Sequence, residues 1–65
     1  PGDAAELGGT ARTPHFVIHY DDTPAIRADL ALIAADHEFR LAQVCAAIGV
    51  DPETLGTIHS FYFAT

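Results

Sequence analysis

The residues with the widest chemical range in this chain are four histidines, His15, His19, His37 and His59, because imidazole ligates metals, moves protons and titrates near neutral pH. His15 and His19 share one face of an alternating run but lie four residues apart, roughly 13 Å at the rise of a strand, too far to hold one ion together. Val17, between them on that face, offers no ligand. His59 belongs to a second strand-like run and could approach one of them, yet two imidazoles without a third ligand make a weak site. These histidines are therefore expected to face solvent or to be hydrogen-bonded, and no metal ligand is assigned.

His37 and Glu38 match the opening of H-E-x-x-H, in which two imidazoles one helical turn apart bind zinc while the glutamate activates water. The second histidine would fall where Leu41 stands, so the motif fails and His37 is read as a semi-buried packing residue. Asp21 and Asp22 offer adjacent carboxylates, but consecutive side chains seldom converge on one atom, and a position just before a helix accounts for them. Cys45 has no basic neighbour at helical spacing that would make it a nucleophile, and it reads as a small buried apolar residue. No catalytic, cofactor-binding or metal residue is assigned.

The elements that would position these side chains are three. From His15 to Tyr20, Phe16, Ile18 and Tyr20 alternate with His15, Val17 and His19, the period-two pattern of a strand. Thr23 is placed to cap a helix and Pro24 suits its first position. The helix is expected to run from Pro24 to Ile48 and to stop at Gly49, with Pro52 blocking continuation. Its wheel carries two apolar faces. Ile26, Leu30, Ile33, Leu41, Val44 and Ile48, with His37 in their midst, form a stripe predicted to face the sheet. Almost opposite lie Ala28, Ala31, Leu32, Ala35, Phe39, Ala42 and Ala46. Asp36 and Arg40 on a polar edge form an i,i+4 pair. After a turn over residues 51–56, the β-branched and aromatic run from Thr57 to Ala64 is a second strand.

This order predicts an α+β fold: one βαβ unit over residues 15–65, its strands parallel with a right-handed crossover, behind a flexible lead-in over residues 1–14 with room for a helical turn at Ala4 to Leu7. Two strands make no stable sheet, so further strands are expected from elsewhere. A chain that starts at Pro1 is expected to be trimmed or cut from a longer one.

Composition narrows the partners. A net charge of −6, with three arginines and no lysine, argues against nucleic acid, whose binding rests on several cationic contacts to phosphates. No apolar run approaches the ~20 residues that span a bilayer, and no charged-then-apolar leader is visible. A single cysteine makes no internal disulfide. At 65 residues folding removes only about 60% of the surface of the unfolded chain, so a partner surface is the expected source of additional stability.

The run Thr13-Pro14-His15-Phe16-Val17-Ile18-His19-Tyr20, the Ala/Leu-rich helix ending in Ile48-Gly49-Val50 and the strand after it resemble the start of a peptidase MA-like, gluzincin-type zinc metallopeptidase domain. The resemblance covers about residues 13–65. It implies the non-catalytic N-terminal βαβ edge of a larger mixed-sheet domain. Zinc would belong to the parent protein, because neither H-E-x-x-H nor the downstream glutamate ligand of that family occurs here. The alternative is a small acidic, non-enzymatic module that dimerises or docks through Leu32 and Phe39. In either case the partner layer is expected on Leu32, Ala35, Phe39 and Ala42. Four histidines on an acidic background also suit a pH-responsive module.

Overall fold

The computed structural model describes residues 7–63. It is an α+β arrangement: a three-stranded mixed sheet with one long helix across one side. β2 (Phe16–Asp21) is the central strand. It pairs antiparallel with β1 (Gly8–Arg12) and parallel with β3 (Ile58–Tyr62). Helix α1 (Pro24–Ile48) makes the crossover between the parallel strands, and a 3₁₀ turn, Pro52–Leu55, leads into β3.

The third strand comes from the segment that the sequence reads as a lead-in. Gly8 to Arg12 shows no apolar alternation, and its order derives from the edge of β2, whose backbone groups would otherwise lack partners. Gly9 stands opposite Tyr20, and a Cβ at Gly9 would overlap the Tyr20 ring, so the missing side chain lets the ring lie across β1. The ladder continues past β1, with the Asp22 amide donating to the Leu7 carbonyl at 3.0 Å. The helical turn expected at Ala4 to Leu7 lies almost wholly outside the described residues.

Local chemistry sets the ends of α1. The Thr23 side chain accepts from the Ile26 amide at 3.2 Å, and Pro24 fills the first position. Gly49 takes the left-handed conformation (φ 73°, ψ 31°), and its amide and that of Val50 both close on the Cys45 carbonyl. Asp51 caps the 3₁₀ turn by accepting from the Glu53 amide at 3.0 Å.

Phe16, Ile18, Tyr20, Ile58, Ser60 and Tyr62 share the side of the sheet under α1, whereas Val17, His19, His59 and Phe61 share the open side. Among the described residues the core is small: the buried apolar side chains are Leu7, Val17, Ile18, Ile26 and Cys45, with Ile18 at 0% exposure. Along α1, Ile26 is buried and Leu30, Ile33, His37 and Leu41 are half-buried, as their stripe predicts. Val44 and Ile48 depart from it, at 57% and 65% exposed. The reason is length. A 25-residue helix is about 37 Å long, whereas the six residues of β2 cover about 20 Å. His37 and Glu38 already stand over the start of β2, so the last turns overhang the sheet, where the 3₁₀ turn meets them only in part.

Candidate functional site

The densest polar cluster joins all the layers at the start of β2. The chain bends at Pro14 and His15, so His15 leaves the side of the sheet it was expected to share with Val17 and His19 and turns to the helix. The correction follows from where the ladder begins: alternation governs side chains only within a strand, and β2 starts at Phe16. Glu38 of α1 receives this bend. Its carboxylate accepts from the Thr13 hydroxyl, from the His15 amide at 2.8 Å and from His15 Nδ1 at 2.6 Å. His15 Nε2 lies 2.8 Å from Glu53 of the 3₁₀ turn. The Thr13 hydroxyl also accepts from the Phe16 amide at 3.0 Å, and the Thr13 amide donates to the Phe16 carbonyl at 2.9 Å.

This geometry favours a charged ring. A neutral imidazole has one N–H and can satisfy one of two carboxylates, whereas the imidazolium donates to both. The bonds to Glu38 and then Glu53 accordingly raise the His15 pKa above 6.5, against a smaller opposing effect of burial. Burial pushes the Glu38 carboxyl upward, but the bonds from Thr13 and His15 outweigh it and the net direction is down from 4.5. The His15 contribution is present below its unfolded value near 6.5 and is lost as pH rises through the higher folded value. The Glu38 contribution is present above 4.5 and is lost as pH falls through the depressed folded value. Thermal midpoints should therefore be highest between these two values and decline on both sides. His15→Gln should flatten the alkaline decline, and a midpoint that climbs steadily from about pH 5 to pH 8 would contradict the assignment.

His37 is held beneath α1. Its Nδ1 lies 2.8 Å from the Ile33 carbonyl, which can only accept, so Nδ1 carries the proton. In the neutral ring Nε2 then accepts from the Ser60 hydroxyl at 2.7 Å. The Phe16 ring meets the imidazole edge-on, with centroids 5.1 Å apart and planes at 85°. A hydroxyl so close to an imidazole has the reach of a nucleophile and its base, but both residues are half-buried between helix and sheet. The pair ties the two layers and satisfies polar groups that packing would otherwise strand.

On the open side, His19 and His59 meet across β2 and β3. Nε2 of His19 and Nδ1 of His59 are 2.9 Å apart. Their planes differ by only 13° with centroids 5.2 Å apart, so the nitrogens are the nearest points of rings lying edge to edge. Phe61 lies against His19, centroids 5.0 Å apart and planes at 17°, an offset stack. Among the described residues no three His, Cys, Asp or Glu side chains converge as metal ligands do.

Except for Cys45, the remaining expected positions fall on surfaces. Leu32 and Phe39 are 73% and 62% exposed, and Ala35 and Ala42 are exposed beside them. Cys45 is a buried free thiol. Asp22 pairs with Arg27 at 2.9 Å, and Asp36 with Arg40 at 2.8 Å. Among the described residues no helix is long and apolar enough to cross a membrane.

Sequence reasoning passed over Thr13, Glu38, Glu53 and Ser60 as partners. Ser60 could be placed from alternation, since it shares a face with Ile58 and Tyr62. Glu38 could not, because its position on a polar helix edge reveals nothing of a loop 23 residues earlier that bends onto it. Compared with protein-family models, curated proteins and solved structures, this chain matches none.

Proposed function

We propose that this chain is the non-catalytic N-terminal scaffold of a peptidase MA-like zinc metallopeptidase, with the catalytic part seated on the outer face of α1. The observation that carries this reading is the exposure of Leu32 and Phe39, at 73% and 62%, on a helix whose opposite side already covers the sheet. Burying two such side chains contributes about 1.5–3 kcal/mol each, a large share of the stability of a small domain. The overhanging Val44 and Ile48 add a second uncovered apolar surface. The run from Thr13 to Tyr20, the helix and the Ile48-Gly49-Val50 exit, on which the resemblance rests, coincide with β2, α1 and the approach to β3, which supports the same reading.

The residues present do not fit a catalytic zinc. His37 is engaged by Ile33 and Ser60, and Glu38 by Thr13 and His15. Both serve the scaffold, and Leu41 replaces the second imidazole. Zinc chemistry would have to be supplied by residues outside this sequence. Reading the open frame beyond the Thr65 codon for about one further domain, ~100 residues, tests the proposal. An H-E-x-x-H helix there supports it, and a stop codon or a frame without that motif overturns it. A sedimenting dimer of the 65-residue chain that Phe39→Glu dissociates would favour instead a module that self-associates through the same face.

A further inference from the structure

We propose that His19 and His59 form a two-imidazole chelate for a divalent cation of the copper, nickel and zinc class on the open side of the sheet. The site is separate from the Glu38 cluster and does not depend on the scaffold reading. Two nitrogens bound to one ion at about 2.0–2.1 Å stand about 2.9 Å apart at right angles and about 3.4 Å apart at tetrahedral corners. The observed 2.9 Å between His19 Nε2 and His59 Nδ1 equals the first separation, but the rings lie edge to edge with the nitrogens facing each other, so both rings must tilt before their lone pairs converge on one ion. The second needs the same tilt and a further separation of about half an ångström, and the exposed His59 on an edge strand has room to turn.

Two features prepare the site. Phe61 packs on His19 and restrains its ring, which lowers the entropy lost on binding. The parallel register places Val17 beside His59 and Phe61 beside His19, so the two imidazoles reach each other diagonally across a backbone held by the ladder. Between neutral rings one N–H bridges the two nitrogens. Binding moves that proton through water to the outer nitrogen of its own ring, which frees both inner lone pairs without net loss of a proton. Neutral imidazole nitrogen suits copper, nickel and zinc, whereas magnesium and calcium require oxygen ligands. With no third protein ligand converging among the described residues, water completes the coordination, and copper(II) should bind most tightly.

Titration of the full chain with copper(II) chloride, followed through its ¹H–¹⁵N amide spectrum, tests the site without altering a residue. Paramagnetic broadening should centre on His19, His59, Phe61 and the facing Thr10. Calorimetry should then show that His19→Gln and His59→Gln each weaken copper binding by at least the roughly tenfold that loss of an outer-shell partner costs at known sites. Excess magnesium should not compete. Absence of saturable binding, broadening centred on His15 or on the acidic surface, or affinity unchanged in either folded variant would overturn the proposal.

Discussion

Ile18→Ala is expected to remove a large share of the stability of this chain. Among the described residues Ile18 is the large side chain with no exposed surface, set at the middle of the central strand and under α1. Truncating a buried isoleucine to alanine costs about 2–5 kcal/mol, from lost transfer energy and from the cavity left behind. A domain of 65 residues has about 3–10 kcal/mol in total, on the usual 0.05–0.15 per residue. The upper half of the first range, about 3.5–5 kcal/mol, equals or exceeds the lower end of the second. Urea unfolding monitored by far-ultraviolet circular dichroism gives the loss directly. A midpoint within error of the unaltered chain would show that the sheet does not depend on this contact. Ile18→Val should cost only about 0.5–1.5 kcal/mol, because one methyl leaves a smaller void.

The second large effect is expected at Glu38. Its carboxylate accepts three hydrogen bonds, all from the bend that opens β2, and so joins the β1–β2 connection to the helix. Hydrogen bonds to a charged group contribute about 1.5–3 kcal/mol each. They are not additive when they share one acceptor, so Glu38→Ala should cost at least the amount of a single one. Glu38→Gln keeps an accepting oxygen but removes the charge that pairs with imidazolium, and its loss should be smaller. The two variants also separate charge from geometry. If the stability of both is unaltered between about pH 5 and pH 8, where histidine titrates, the cluster does not support the fold.

These two residues differ in how visible they were before tertiary structure. Ile18 belongs to a period-two run of aromatic and β-branched residues, and that pattern alone marks a strand with one face inward. Glu38 sits on the rim of the helical stripe, where a carboxylate ordinarily faces water. Its role depends on a bend at Pro14 and His15 that brings Thr13 and the His15 amide within reach. β1 was hidden for a related reason: a glycine-containing edge segment has little strand preference of its own and is ordered by its neighbour.

The histidines show the same division. The place of His37 on the inward stripe of α1 followed from the 100° wheel, but its bond to Ser60 required the crossover to bring β3 under the helix. The meeting of His19 and His59, 40 residues apart, depends on the parallel register of β2 and β3. Nothing in either strand specifies that alignment by itself.

By itself the amino-acid sequence determined the strand, helix, strand order, the limits of α1 between Thr23 and Gly49, and the presence of two apolar helix faces. These are properties of short windows, governed by period, capping and the left-handed tolerance of glycine. Tertiary structure decided that residues 8–12 join the sheet, that His15 turns toward Glu38, and that Val44 and Ile48 project past the strands. Each of these depends on a distance between segments remote in sequence, or on the mismatch between a helix of about 37 Å and strands of about 20 Å, which appears only once the elements are laid against one another.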